Sequence, residues 1–152
     1  MKMKRIEAEA LGISQIVSLV DIARGISPAE PEWNALRQKL SRYDCWGFYD
    51  RGELVGYALA DGKSPYCGGS VQIAELKYRW KYNGEQDVAW MLRQLAMEYR
   101  LSQKWMVMDV NLRREINLEL YKKLGFKASM MGSPLGRENV VMVCPLELLI
   151  GN

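Results

Sequence analysis

Apolar residues in the first third of the chain recur with the period of an α-helix. The first such set follows Gly12 at intervals of three or four residues and consists of Ile13, Ile16, Val17, Val20 and Ala23. This spacing predicts an amphipathic helix. The same period continues through residues 33–43 and predicts a second helix that begins just after Pro31. Residues 5–10, ahead of both helices, are interpreted as a short first strand.

The pattern then changes from helical to strand-like. Two apolar and aromatic runs, Cys45–Asp50 and Glu53–Ala60, are separated by Arg51-Gly52. This arrangement predicts two antiparallel strands joined by a tight turn. Residues 61–69 form a polar loop with a Gly-Gly pair, and residues 70–78 are predicted to be a third long strand.

The second half of the chain repeats strand and helix patterns. Residues 87–100 carry one apolar stripe, which is typical of a helix with one buried face, and residues 104–110 are apolar and strand-like. A strand, a helix and a further strand in this order predict a parallel crossover. Residues 115–124 are predicted to be helical, with Gly125 as a left-handed cap. Two last strands, at residues 126–131 and 140–146, are expected to flank a turn.

These elements predict one α/β (α+β) domain that spans residues 1–152. Its sheet is expected to be mixed, mainly antiparallel, with six to seven strands flanked by about four helices. The chain has 152 residues, of which 49% are hydrophobic, and this is enough to bury one sizeable core.

Composition narrows the possible chemistry. The net charge is only +3, from 21 basic and 18 acidic residues, so the sequence does not favour a nucleic-acid partner. The chain has no histidine, which excludes Ser-His-Asp and Cys-His catalysis. Three widely spaced cysteines favour a reduced, cytoplasmic setting. The apolar stretch after the basic N-terminus is interrupted by charged residues, so neither a signal peptide nor a membrane span is expected.

Three segments between residues 76 and 126 resemble the GNAT family of N-acetyltransferases. They are Leu76-Lys-Tyr-Arg-Trp-Lys-Tyr-Asn-Gly84, Met108-Asp-Val-Asn111 and Leu120-Tyr-Lys-Lys-Leu-Gly-Phe126. The resemblance implies the acyl-CoA N-acyltransferase-like fold, with acetyl-CoA as cosubstrate and no metal. It also implies transfer of acetyl to a primary amine by direct attack in a ternary complex.

The resemblance implies roles for particular residues. In the family, a tyrosine just before the Gly-Phe pair protonates the departing thiolate, and Tyr121 occupies that position. Glu75 is the preferred candidate for the base, with Asp109 and Glu53 as alternatives. Strand alternation is expected to place Glu75 and Lys77 on one face of their strand. Residues expected to bind the cofactor are Leu76, Tyr78, Asn83, Gly84, Glu85, Gln86, Asp87, Val88, Asn111, Arg114 and Asn117.

Some of these residues also have simpler interpretations. A tyrosine on an amphipathic helix is usually a packing residue, and Glu75 could be a solvated strand residue. Cys67, beside Gly68-Gly69, could be a reactive thiol, but an inert surface thiol is the more common case when no histidine activates it.

The phosphate-binding loop departs from the family's pattern. That pattern reads arginine or glutamine, two residues, glycine, one residue, then glycine or alanine, whereas this chain has Asn83-Gly-Glu-Gln-Asp-Val88. Gln86 and Val88 carry side chains where small residues let the backbone approach phosphates, and Glu85 and Asp87 place carboxylates there. The alternative function is therefore a non-catalytic GNAT-fold binding or regulatory module with weakened or lost CoA binding.

The sequence leaves the partners open. The acceptor is either a small-molecule or a peptide amine, and no pattern in the chain selects among them. Neither a membrane nor a nucleic acid is expected as a partner, and a homodimer is left open.

Overall fold

The computed structural model describes residues 1–24, 30–64, 66 and 68–151. Within these residues, seven strands form one mixed sheet in the order β1-β2-β3-β4-β5-β7-β6. This confirms the predicted class. The elements in chain order are β1 (Lys2–Ile6), α1 (Ile13–Arg24), α2 (Glu30–Arg42), β2 (Asp44–Asp50), β3 (Glu53–Asp61), β4 (Ser70–Tyr78), α3 (Glu85–Tyr99), β5 (Trp105–Asn111), α4 (Leu118–Leu124), β6 (Lys127–Gly132), β7 (Asn139–Pro145) and α5 (Leu146–Gly151).

The chain divides into two compact units. The N-terminal unit contains Met1–Ala60 and Glu75–Gly84, and the C-terminal unit contains Asp61–Ala74 and Glu85–Asn152. Strand β4 therefore contributes its last residues to the first unit and its first residues to the second.

In the N-terminal unit, β1, β2 and β3 pair antiparallel in sequence order. The predicted hairpin between β2 and β3 is confirmed, with Asp50 opposite Glu53. Its turn residues Arg51 and Gly52 have φ of 53° and 80°. Positive φ at both positions is the geometry of a type I′ turn, whose twist matches that of the strands.

The predicted first strand is displaced in the structure. β1 spans Lys2–Ile6, and residues Ala8–Ala10 form a 3-10 turn instead. Only Ile6 of β1 is buried. Since this edge strand is mostly polar, hydrophobic periodicity does not reveal it.

The core of the N-terminal unit lies between α1, α2 and the central strands. Leu19, Phe48, Tyr57 and Leu59 are fully buried there, and β3 is buried continuously from Leu54 to Ala60. Helix α2 contacts both α1 and β2. The period predicted for α2 is confirmed by its buried Leu36 and Leu40, whereas Ile13 and Val17 of the stripe predicted for α1 are exposed.

In the C-terminal unit, β4 and β5 pair in parallel, with Ser70, Val71 and Gln72 opposite Trp105, Met106 and Val107. This confirms the predicted crossover through α3. The ladder ends at Gln72, although the unit's segment of β4 continues to Ala74. On its other side β5 pairs antiparallel with β7 along its whole length.

The helices of this unit follow the predicted pattern with two differences. The buried face of α3 consists of Val88, Met91, Leu92, Leu95, Ala96 and Tyr99. Helix α4 begins at Leu118 rather than at residue 115, and the left-handed cap at Gly125 is confirmed by its φ of 111°. The short helix α5 was not predicted, because its apolar run directly continues that of β7.

Within the described residues, no helix combines the length and the apolar character needed to cross a bilayer.

Gly56 provides a stability test of the packing between β3 and β4. A Cβ at this position would lie 2.9 Å from the backbone oxygen of Lys77 and 3.1 Å from Cβ of Tyr78. Because backbone atoms cannot rotate away, Gly56→Ala is expected to lower the free energy of unfolding by about 1–3 kcal/mol. Chemical denaturation measures this difference.

Gly68→Ala is the matched control, since a Cβ there meets nothing within 4 Å. It is expected to be neutral or slightly stabilising. An equal loss for both variants would show that close approach of the strands is not the cause.

Candidate active site

Glu75 is held between a phenol and an ammonium group in the N-terminal unit. The hydroxyl of Tyr57 donates a hydrogen bond of 2.8 Å to Oε2 of Glu75. Lys39 Nζ lies 2.6 Å from Oε1 of the same carboxylate. Among the described residues, Tyr57 and Lys39 occupy two of the carboxylate's roughly four acceptor positions.

Tyr57 is the buried member of this cluster, which we call the Tyr57–Glu75–Lys39 cluster. Its exposed fraction is 0%, whereas the side chains of Lys39 and Glu75 are 52% and 20% exposed. Burial raises the pKa of Tyr57, and the charge and hydrogen bond of Glu75 raise it further. Tyr57 therefore stays protonated at neutral pH and donates to Glu75.

The cluster borders a cavity of about 230 Å³, which we call the N-terminal cavity. Glu75 and Lys77 both line it, as the alternation along β4 predicts. Among the described residues, its lining consists of Val20, Ala23, Ala35, Leu36, Lys39, Tyr57, Glu75 and Lys77. One wall is therefore apolar and the other is charged.

The chain that follows β4 is fixed by two polar contacts. Arg79 Nη1 donates to Oδ2 of Asp21 on α1 at 2.5 Å. The hydroxyl of Tyr82 donates to Oδ2 of Asp50 at 2.6 Å. This bond raises the pKa of Tyr82 to about 12 and lowers the pKa of Asp50. Both contacts secure the short 3-10 turn Trp80–Tyr82.

Asn83 and Gly84 follow this turn and complete the N-terminal unit. Asn83 closes the 3-10 turn, because its backbone N–H donates to the carbonyl of Trp80 at 3.1 Å. Gly84 is exposed. The glycine predicted to face phosphate is therefore accessible.

In the C-terminal unit, α3 begins with an acidic first turn that contains Glu85 and Asp87. Glu85 pairs with Lys123 of α4 at 3.3 Å, with both side chains more than half exposed. Gln86 is exposed too. Carboxylates here stabilise the positive end of the helix dipole, a position that a phosphate would also occupy.

Val88 differs from its expected role. Its side chain is 0% exposed and belongs to the buried face of α3. It therefore packs in the core and does not obstruct the outer surface of the loop. The period of the helix carries this signal, since Val88 is the first member of the apolar stripe.

Tyr121 lies on α4 and is 3% exposed. Its ring centroid is 5.8 Å from that of Phe126, with an interplanar angle of 57°. Its carbonyl accepts the backbone N–H of Phe126 at 3.0 Å. The Gly-Phe pair of the sequence motif therefore helps to hold Tyr121 in place.

Asn111, Arg114 and Asn117 all lie between the end of β5 and the start of α4. The side-chain oxygen of Asn111 accepts the backbone N–H groups of Arg113 and Arg114, and its amide donates to Asn139. Asn111 thus builds the turn itself. Arg114 is exposed, whereas Asn117 is buried as the N-cap residue of α4.

The alternative bases occupy different surroundings. Asp109 accepts hydrogen bonds from Tyr66, Ser133 and Asn139 at 2.8, 2.6 and 3.1 Å. This satisfied carboxylate links two loops to β5. Glu53 is exposed and begins β3 beside the hairpin turn. Glu53 lines a different cavity, together with Tyr49 and Leu54.

The cysteines do not indicate a nucleophile. Cys45 and Cys144 are buried, and burial raises their pKa values to about 12 and about 11. Both are therefore thiols at neutral pH and are inert. Cys67 lies outside the described residues. No group of three or more potential metal-binding side chains occurs in the described part of the chain.

The Tyr57–Glu75–Lys39 cluster was only partly visible in the sequence. Glu75 is separated from Tyr57 by 18 positions and from Lys39 by 36. No local period connects residues so far apart. The one available signal was a buried tyrosine on a strand, since such hydroxyls usually find a partner.

No family model matches the chain, and no curated protein matches it. Solved structures, however, match it along nearly its whole length. The aminoglycoside 6'-N-acetyltransferase from Enterococcus faecium superposes with a TM-score of 0.71 at 16% identity, over 96% of this chain and 97% of that chain.

Two other solved structures extend the comparison. A GNAT acetyltransferase from Elizabethkingia anophelis with acetyl-CoA bound gives a TM-score of 0.65 at 13% identity, over 95% and 97% of the two chains. The ribosomal-protein-S18-alanine N-acetyltransferase from Escherichia coli gives 0.64 at 14% identity, over 95% and 93%. The chain therefore has the GNAT fold.

Tyr57→Phe tests the hydrogen bond inside the cluster. The substitution preserves the ring but removes a buried donor to a carboxylate, so the free energy of unfolding at pH 7 should fall by about 1.5–3 kcal/mol. Urea denaturation across the pH range measures this loss and its pH dependence.

The pH dependence has a defined sign. The pKa of Tyr57 is raised in the folded state, so its contribution is full below the unfolded pKa near 10 and is lost as pH rises above it. The wild-type stability should therefore approach that of Tyr57→Phe above pH 10, by at most about 1.4 kcal/mol per pH unit. Parallel curves would contradict this origin of the stability.

Proposed function

We propose that this chain, which has the fold of the GNAT acetyltransferases, is a single-domain N-acetyltransferase that transfers acetyl from acetyl-CoA to a primary amine. The supporting observation is the location of Tyr121 on α4, directly ahead of the Gly125 cap and Phe126, within that fold. The Elizabethkingia anophelis structure of the same fold contains acetyl-CoA.

In the proposed reaction the amine nitrogen attacks the thioester carbonyl, and the carbon–sulfur bond breaks. Glu75 accepts the proton released by nitrogen, directly or through water. Tyr121 donates its proton to the departing thiolate, and solvent restores the phenol. The products are the N-acetyl amine and CoA with a free thiol. A phenol with a pKa near 10 is a suitable donor to a thiolate whose conjugate acid has a pKa of about 8.5.

The residues near the start of α3 fit a pyrophosphate with one opposing feature. Gly84 is exposed, and Val88 is withdrawn into the core. We assign the pyrophosphate to the backbone N–H groups of residues 84–88. The opposing feature is the pair of carboxylates on Glu85 and Asp87.

The other contacts with the cofactor are assigned from the resemblance to the GNAT family. We assign the pantetheine to the backbone of Leu76 and Tyr78 on β4 and to Asn111, Arg114 and Asn117. A backbone N–H near Tyr78 is assigned to polarise the thioester carbonyl, which is the usual way to stabilise the charge that develops on its oxygen.

The comparisons do not select the acceptor. One neighbour is named for acetylating aminoglycosides and another for the alanine of a ribosomal protein. A fold that serves such different acceptors carries no information on the substrate. Specificity therefore depends on the side chains that line the acceptor site of this chain.

Tyr121→Phe tests the proposed acid. Loss of the proton donor should lower kcat by about 10²–10⁴-fold, while CoA affinity stays unchanged. Thiol release and calorimetric titration with CoA measure the two quantities. Tyr43→Phe, at the bend after α2, is the control and should retain full turnover. Unchanged turnover in Tyr121→Phe would remove this residue from the proposed role.

Glu85→Gln tests the opposing carboxylate. A carboxylate roughly 6 Å from a phosphate charge is unfavourable by about 3 kcal/mol at an effective dielectric of about 20, before screening. Screening reduces this value, so the variant should bind CoA about two- to tenfold more tightly at low salt. Glu98→Gln, an exposed residue at the other end of α3, should change nothing. Weaker binding by Glu85→Gln would contradict the assigned phosphate position.

A further inference from the structure

The N-terminal cavity has an apolar side and a charged side. Val20 and Ala23 of α1 and Ala35 and Leu36 of α2 supply the apolar wall, and Val20 and Leu36 are themselves buried. The charged groups are Lys39 of α2 and two residues of β4, Glu75 and Lys77. An occupant therefore needs an apolar part and at least one polar part.

The charges of the described lining do not cancel. Glu75 is paired with Lys39 at 2.6 Å. Lys77 is exposed, and within the described chain it forms no ion pair with any carboxylate. Two ammonium groups and one carboxylate leave one positive charge in excess. That excess favours an anionic group on the occupant and disfavours a polycation.

The positions of the two charged residues of β4 indicate how an occupant would be oriented. Glu75 and Lys77 lie two residues apart on one strand face, which separates their backbones by about 7 Å. An amine beside Glu75 would thus have a cationic side chain within reach of a carboxylate on the same small molecule. The apolar wall would then face the remaining substituent.

The size of the cavity limits the occupant. Its volume of about 230 Å³ is below the range of roughly 300–1,000 Å³ that is usual for drug-sized ligands. A molecule of amino-acid size fits this volume. A large amine such as an oligosaccharide would extend beyond it, towards the second cavity that shares Ala23 and Lys77.

We infer that the acceptor is a small amine that carries its own carboxylate, such as an apolar α-amino acid, and that Lys77 is the residue that selects this carboxylate. The inference rests on the proposed function for the fate of the amine. Glu75 faces the amine, Lys77 faces the carboxylate, and the helices α1 and α2 enclose the apolar side chain.

A matched pair of probes tests this selection by binding alone. Free L-leucine and L-leucinamide share the amine and the side chain but differ in the carboxylate, and spermidine serves as a polycation. Each is titrated calorimetrically into the full chain, with and without saturating CoA. Leucine is expected to bind about tenfold or more tightly than leucinamide, and spermidine is expected to bind most weakly.

Variants assign the preference to one side chain. Lys77→Met should weaken leucine binding by about tenfold and leave leucinamide unchanged, and Lys77→Glu should reverse the order of the two probes. Lys127→Glu changes another exposed strand lysine, which lies outside the cavity, and should preserve the wild-type order. Thermal denaturation of each variant checks that it remains folded.

The outcomes separate this inference from the proposed function. Leucine binding that depends on Lys77 without any acetyl transfer would support the selection and contradict the enzyme. Turnover with leucinamide equal to or better than leucine would overturn the selection and support the enzyme. The inference is overturned if leucine binds neither in the presence nor in the absence of CoA. It is also overturned if wild type and Lys77→Met bind leucine with equal affinity.

Discussion

The close approach of β3 to the end of β4 at Gly56 determines which side chains face the N-terminal cavity. A side chain at residue 56 would meet the backbone of Lys77, so this close contact between the strands favours glycine. The next residue, Tyr57, reaches Glu75 with its hydroxyl. Because alternate residues of a strand face opposite ways, a slip of one position would turn both Glu75 and Lys77 away from the cavity. The Gly56 contact and the Tyr57 hydrogen bond together oppose such a slip.

In the C-terminal unit, the C-terminal end of α4 holds Tyr121 in position. Gly125 adopts a φ of 111°, which ends α4 and lets Phe126 return to the carbonyl of Tyr121. Other residues adopt this conformation only with strain. The motif that made the family recognisable is thus first a structural device. The chemistry proposed for Tyr121 uses a side chain whose position is already fixed by the cap and by the Phe126 ring.

Local signals explain which parts of the fold could be predicted. The Arg51-Gly52 turn, the apolar stripe of α3 and the Gly125 cap each depend on neighbouring residues, and each was found. β1 is not evident from periodicity because three of its five residues are lysine or arginine and only Ile6 is buried. The helix α5 is not evident because its leucines continue an apolar strand. The contacts of Glu75 with Tyr57 and Lys39 arise from tertiary folding, so the sequence identified the carboxylate but not its partners.

Charge is distributed unusually between the two regions assigned to substrates. The start of α3, where a pyrophosphate would bind, carries Glu85 and Asp87, whereas the described lining of the N-terminal cavity has one lysine in excess. Glu85 is paired with Lys123 at the surface, and exposed pairs of this kind contribute little stability. The carboxylate is therefore not required to hold α3 and α4 together. The repulsion between the Glu85 carboxylate and an approaching phosphate is reduced only while Lys123 stays beside Glu85. Affinity for CoA should therefore depend on Lys123 as well as on the backbone of the loop.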